Sequence, residues 1–367
     1  MDLGIIGFPR SGKTAAFAAL TGGHAESASF GRTGIQQHVG VVKVPDPRLD
    51  TLARLFHSRK IVPAEVRYLD TAGGPAAFEA GRGLGGPILN ALGTVDALIH
   101  VARGFSDPSV AHVHGTVDPA RDIEAVDLEL AYSDAAVIER RLERLVTSIK
   151  AATVAQREAA AREQDWLEEL KAQLEAGTPV REMDLNEEQH RALSSYALLT
   201  AKPLLVLLNI GEDQLAQQES LERELGGRFQ GPGRDLLALC AKLEAELAQM
   251  APAEAAEFRT ALGAGEPGVD RVIRASYALL GYVSFLTTGP DESRAWAIRD
   301  GEFAVHAAGK IHSDLERGFI RAEVVPYDQL AACGSWAEAK RRGVLRSEGK
   351  TYRVQDGDVI NVLFSRG

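Results

Sequence analysis

Along the 367 residues, short apolar runs alternate with amphipathic stretches. Leu3-Gly4-Ile5-Ile6 has strand length, and Thr14 to Leu20 follows with helical apolar spacing. His38 to Val44 is rich in β-branched residues and is stopped by Pro45-Asp46-Pro47; Asp50 to Phe56 is helical in pattern, and Glu65 to Asp70 is again a strand. Val95 to Val101, apart from Asp96 and His100, and Pro203 to Leu208 are apolar without alternation, as strands buried on both faces of a parallel sheet are. Leu236 to Leu239 is the last strand of this set. Between them, Ile138, Leu142, Leu145 and Ile149 repeat at coiled-coil spacing, and Trp166, Leu170 and Leu174 suit an antiparallel return helix. Asn186 to Leu199 reads as a further helix, and helical stretches run on to Leu280.

From Val283 the texture changes. Ala295 to Ile298 and Arg321 to Val325 alternate and flank a helix around Ala308 to Arg317; Tyr352 to Val354 and Val359 to Phe364, joined by Asp356-Gly357-Asp358, resemble a hairpin. The pattern predicts an α/β domain over 1–127 and 200–282 and a helical coiled-coil insertion over 128–199. A small α+β domain of the β-grasp kind is predicted over 283–367.

Composition narrows the class. A hydrophobic content of 45% supports real cores, and a net charge of −10 argues against coating a nucleic acid on all sides. Lys340, Arg341, Arg342, Arg346, Lys350 and Arg353 nevertheless cluster locally and could face RNA phosphate. Cys240 and Cys333 are the only cysteines, too few for a disulfide framework or a metal-ligand cluster. No apolar run reaches membrane-spanning length and the opening residues read as a strand, so a cytoplasmic protein is expected.

The chemistry is carried first by Gly7-Phe8-Pro9-Arg10-Ser11-Gly12-Lys13-Thr14, which fits G-x-x-x-x-G-K-[ST] between a strand and a helix. Backbone N–H groups would cradle a β-phosphate, Lys13 would reach the β- and γ-phosphates, and the Thr14 hydroxyl would hold Mg²⁺. The expected nucleotide contacts here are Pro9, Arg10, Ser11, Gly12, Lys13, Thr14 and Ala15. One strand later, Asp70-Thr71-Ala72-Gly73 supplies an Asp for the magnesium shell and a Gly73 N–H for the γ-phosphate. Thr33, in the polar stretch from Thr21 to Gln37, is a further metal candidate. Gly74 stands where a water-orienting Gln would be, and His112, in a later loop, is a lone loop histidine whose chemistry alone does not single it out. An Asn at position 10 could hold K⁺ beside the phosphates; Arg10 cannot, but its guanidinium could act in cis on the departing phosphoryl group.

Base selection is expected at Asn209-Ile210-Gly211-Glu212, with Cys240 and Ala241 in the loop after the last strand. A guanine reader has Asn-Lys-x-Asp; here Ile210 replaces the Lys and Glu212 the Asp, which displaces the carboxylate. Asn209 could still pair with the adenine N6/N7 edge, so adenine is the expected base.

Taken together, these residues resemble the YchF/Obg-like ATPase family over essentially the whole chain. The resemblance rests on Val39-Gly40-Val41-Val42, Val44 to Leu49, Gly83-Leu84-Gly85, Asp118-Pro119-Ala120, Asp122-Ile123-Glu124 and Pro267-Gly268 to Arg274. It rests also on Arg294-Ala295-Trp296, Ala308 to His312 with Asp314, Gly318 to Ala322, and Asp356 to Val359. It implies a P-loop G domain, the helical insertion and a C-terminal TGS domain. It further implies ATP preferred over GTP, with Mg²⁺, and association with the ribosome, its large subunit or rRNA, not with DNA or a membrane. By this similarity Phe105 packs on the base and His112 helps position water. The chain departs from the family at Arg10, Ser11, Gly34, Gly74 and Gly211. Two alternatives therefore stand beside a slow ATPase: a nucleotide-binding scaffold or stress regulator that barely hydrolyses, and a GTPase.

Overall fold

The computed structural model describes residues 1–23, 26–28, 37–71, 86–148 and 153–365. Its strands are β1 Asp2–Ile6, β2 Glu26–Ala28, β3 Gln37–Lys43, β4 Lys60–Val62, β5 Glu65–Thr71, β6 Ala97–Arg103 and β7 Leu204–Asn209. Next come β8 Arg234–Leu239, β9 Tyr282–Thr288, β10 Glu292–Arg299, β11 Phe319–Pro326, β12 Arg346–Glu348 and β13 Asp358–Phe364. Two compact units result, Met1–Val41 with Arg67–Val272, and Val42–Val66 with Ile273–Gly367. The predicted α/β domain had counted residues 42–66 as its own. They contribute a helix, Pro47–Phe56, and β4 to the second unit, where β4 pairs with β10.

The first unit is built on a seven-stranded sheet, ordered β2-β3-β5-β1-β6-β7-β8. The pairs β1–β5, β1–β6, β6–β7 and β7–β8 are parallel. Every residue of β6 and β7 is buried, which is why these segments are apolar without alternation. Strand order reverses at β1, so the loop leaving β1 opens at the carboxyl edge where α/β sheets bind ligands. Register places Ile5 beside Asp70, Ile6 beside His100 and Arg103 beside Asn209, bringing the strand ends that carry chemistry to one edge.

The helical insertion is not a separate body. The helix Pro119–Ser148 starts on the sheet core with Ile123, Val126 and Leu130 and continues into the hairpin core with Ala135, Ile138 and Leu145. The predicted boundary at residue 128 thus falls inside one continuous helix. Its antiparallel mate, Val154–Glu175, buries Leu167, Leu170 and Leu174 against it. Arg141–Glu163 (2.7 Å) and Lys171–Glu139 (3.1 Å) cross the hairpin. Asp134 fastens the insertion to the sheet domain, accepting from Leu199 N (2.8 Å), Thr200 N (2.7 Å) and Thr200 Oγ1 (2.6 Å) while buried. Ile149, the last residue of the predicted seam, lies outside the described residues.

The second unit is a six-stranded mixed sheet, β12-β11-β13-β9-β10-β4, with helix Ala304–Ile311 against Phe285, Ile298, Val324 and Ile360. β13 lies antiparallel to β11 and parallel to β9, a β-grasp arrangement. The predicted hairpin of Tyr352–Val354 with Val359–Phe364 does not form. Asp358 turns back to accept from Gln355 N (3.0 Å) and the Tyr352 hydroxyl (2.7 Å), and Arg353 bridges to Phe303 instead. Within this unit Arg48 joins Asp46 (2.8 Å) to Asp356 (2.7 Å), and Asp356 also accepts from Ser284 N (2.9 Å).

One buried group in β6 carries no partner. His100 is 0% exposed, both its ring nitrogens lack a hydrogen bond, and burial, with Arg234 and Lys13 adding repulsion, pushes its pKa down to about 3. Between about pH 6.5 and about 3 the unfolded chain binds a proton that the folded chain refuses, so stability falls as pH falls. The full slope is about 1.4 kcal/mol per pH unit. His100→Leu is expected to flatten the pH dependence of the urea midpoint below about pH 6.5; an unaltered slope would mean that His100 titrates normally.

Candidate functional site

The loop from Gly7 to Thr14 owes its shape to two glycines. Gly7 has φ 143° and Gly12 φ 94°, and a Cβ on Gly12 would stand 2.1 Å from Asn209 Nδ2. Gly12 opens the helix Lys13–Thr21 with no side-chain cap, so its first N–H groups are left for an anion. Ser11 Oγ is buried without a partner in the same loop. Lys13 Nζ donates to Gly7 O (2.8 Å) and Phe8 O (2.9 Å), holding the ammonium where phosphate oxygens would replace those carbonyls. Burial lowers the Lys13 pKa, against the pull of Asp70, and burial raises that of Asp70, against Lys13 and His38. Each is a charge awaiting a counter-charge.

For a divalent cation the relevant groups are the Thr14 hydroxyl, exposed on the helix's first turn, and the buried Asp70 carboxylate at the end of β5. No cluster of three or more His, Cys, Asp or Glu with metal-binding geometry occurs among the described residues. Thr33, Gly73, Gly74 and Gly34 lie outside the described residues.

The base loop is organised around Asn209. Asn209 is buried, its Nδ2 donates to Ser11 O (3.0 Å) and its Oδ1 accepts from Ala241 N (3.1 Å). Each end of the amide makes one hydrogen bond to the protein and keeps a second Nδ2 hydrogen and a second Oδ1 lone pair, so the protein orients the amide without consuming it. Ile210 is buried too, in a cluster with Cys240 and Leu243, where burial pushes the Cys240 thiol up. Glu212 extends toward solvent and pairs with Lys242 (3.1 Å).

His112 is held by protein groups at both ring nitrogens. Its side chain is 5% exposed; Nδ1 accepts from His114 N (3.1 Å) and Nε2 faces Asp122 Oδ2 at 2.8 Å. An acceptor at Nδ1 places the proton on Nε2, donated to a carboxylate that Arg121 also holds (2.9 Å). Neither nitrogen is free to receive a proton from water. Arg10, expected at the γ-phosphate, is exposed with φ 65° and donates from Nη1 to Ala111 O (3.1 Å). Phe105 stands close to the phosphate loop, its Cε1 3.8 Å from the position of a Gly12 Cβ.

The comparisons with known proteins agree over the full chain. Residues 282–365 match the family model YchF-GTPase_C, described as a protein of unknown function (DUF933). The ribosome-binding ATPase YchF of Bacillus subtilis (strain 168) is 41% identical over 367 residues, covering 100% of this chain and 99% of the relative. This chain belongs to the YchF family. Obg-like ATPase 1 of Oryza sativa subsp. japonica is 35% identical, over 100% of this chain and 92% of the relative. The solved YchF GTPase of Schizosaccharomyces pombe superposes with a TM-score of 0.85 at 30% identity, covering 99% of this chain and 97% of that one.

Three residues of the YchF site escaped the sequence reading: Asp122 as the anchor of His112, Lys242 as the partner of Glu212, and Arg103, which underlies Phe105. Only Arg103 left a trace, as a cation closing a strand whose other residues, His100 apart, are apolar. The His112 geometry is checked by ¹⁵N NMR of the nucleotide-free protein. The expected signature is a neutral ring protonated at Nε2 and lost in Asp122→Ala; a ring protonated at Nδ1 would contradict it.

Proposed function

We propose that this YchF chain binds ATP with Mg²⁺ at the loop 7–14, hydrolyses it slowly to ADP and phosphate, and associates with the ribosome. The observation that carries the reading is the uncapped helix start beside a half-buried Lys13 and a buried Asp70, a cationic cradle with a carboxylate placed for a metal. Bound Mg²⁺ would neutralise charge on the phosphate oxygens. Thr14 and Asp70 would hold it, Lys13 would leave the Gly7 and Phe8 carbonyls for phosphate, and Gly73 belongs to the same expectation. The names of the Bacillus and Oryza relatives support ATP as substrate, and the former supports the ribosome as partner.

Adenine is favoured because guanine is not served. Glu212 is displaced and paired with Lys242, and buried Ile210 offers no Lys stem over the base. Phe105 is the stacking surface in this reading, with Cys240 and Ala241 at the rim. A cytoplasmic location fits, and no described helix is long and apolar enough to cross a membrane. The C-terminal unit is read as a TGS domain that meets rRNA. Of its six clustered cations, Arg341 and Arg342 pair with Glu338 and Arg346 donates to Tyr352; Lys340, Lys350 and Arg353 form no ion pair among the described residues and are left for phosphate.

A second reading, a nucleotide-dependent scaffold with little turnover, is favoured by one observation: both nitrogens of His112 are engaged. Single-turnover ATP hydrolysis with and without ribosomal subunits separates the two. Slow turnover that rises with ribosomes is expected, and none under either condition would leave only the scaffold.

Calorimetric titration tests the base. ATP is expected to bind more tightly than GTP, and the reverse order would overturn this account of the loop. Asn209→Ala should weaken ATP and GTP alike, by about tenfold or more for two buried hydrogen bonds at about 0.5–1.5 kcal/mol each. A loss confined to ATP would make Asn209 a reader of adenine.

A further inference from the structure

The loop from Gly104 to His112 touches both ends of the nucleotide site. At one end Gly104 N and Phe105 N donate to Asn209 O (2.8 and 3.1 Å), which places the Phe105 ring beside the phosphate loop. At the other, Ala111 O receives Arg10 and His112 leans on Asp122. No apolar core fills the loop. Its centre is the guanidinium of Arg103, 2% exposed, at the end of β6.

Arg103 is bound to the loop from inside. Nε donates to Phe105 O (3.2 Å), and Nη2 to Val110 O (2.8 Å) and Asp107 O (3.4 Å). Its planar face lies over the Phe105 ring, 4.4 Å from guanidinium carbon to ring centre. One face of Phe105 is therefore covered by a cation, and a base can take only the other. Asp107 closes the turn, accepting from Ser109 N (2.8 Å) and Ser109 Oγ (2.6 Å). Nη1 of Arg103 is buried without a partner. An orphaned buried donor costs about 1–3 kcal/mol. A side chain chosen only to fill the space would avoid that cost; what arginine alone supplies is a flat face and a fork of donors at once.

We propose that Arg103 is a positioning residue that sets both ends of the nucleotide site, holding Phe105 for the base and the Ala111–His112 segment for the terminal phosphate. The proposal rests on the nucleotide-binding reading above for its ligand, but the loop geometry it invokes exists without one. Arg103 touches neither base nor phosphate in this scheme. It acts through the loop, so disturbing it affects affinity and turnover together, whereas truncating Phe105 affects affinity first.

Arg103→Lys is the informative variant, because it keeps the charge and loses the fork and the flat face. In the full-length protein we expect a lowered urea midpoint, since buried carbonyls lose their donor, and, per folded molecule, an ATP dissociation constant raised about tenfold, the equivalent of one charge-assisted hydrogen bond. We also expect a lower kcat and a displaced ¹⁵N signal of the His112 ring without nucleotide. Phe105→Ala should raise the dissociation constant and leave the His112 signal in place. Arg103→Lys with wild-type His112 signal and wild-type affinity would overturn the proposal. So would a lowered midpoint with affinity per folded molecule unchanged, which is the outcome for a purely structural arginine. Failure of the wild type to bind ATP would sink the functional reading instead, and the His112 signal of Arg103→Lys would still decide the role of Arg103.

Discussion

The buried amide of Asn209 ties together two loops that the sheet merely brings near each other. Its Nδ2 holds the Ser11 carbonyl, its Oδ1 holds the Ala241 amide, and its own carbonyl receives Gly104 and Phe105. Phosphate loop, base loop and the Phe105 segment therefore meet at one residue, at the end of a strand with no solvent-exposed position. The absence of a Cβ at Gly12 follows from this, since the amide occupies that space. A buried amide with both ends engaged is rigid and costly to disturb.

The polar side chains around the phosphate loop are held by the protein's own groups. Lys13 rests on loop carbonyls, Arg10 on Ala111, and His112 on Asp122 and a backbone amide. Each contact is one that a ligand or a partner would have to replace.

The C-terminal YchF unit has a constraint of its own. Arg48 is fixed by Asp46, the cap of its own helix, and reaches Asp356, which in turn fixes the start of β9 through Ser284. Gly357 is required beside it, because its φ is 82° and a Cβ would meet Arg48 Nη1 at 2.8 Å. A segment from early in the chain thus completes a domain formed late in it.

The central strands of the first sheet were legible in the sequence because burial on both faces leaves runs without alternation, as in β6 and β7, and amphipathic seams mark helices such as that of Ile138 and Leu145; the short edge strands β2, β4 and β12 and the order of the strands were not. The phosphate loop was legible too, since its chemistry is local: two glycines, a lysine and a hydroxyl within eight residues. What the sequence could not hold was the partner of each polar side chain. Whether Asn209 faces a base or Ser11, and whether His112 faces water or Asp122, depends on residues up to 198 positions away. Residues 42–66 carry the same lesson at the scale of a domain, since pairing of β4 with β10 is a long-range contact with no local signature. Periodicity and local motifs determined the elements and the phosphate loop; the tertiary structure alone decided which hydrogen-bonding groups were already taken.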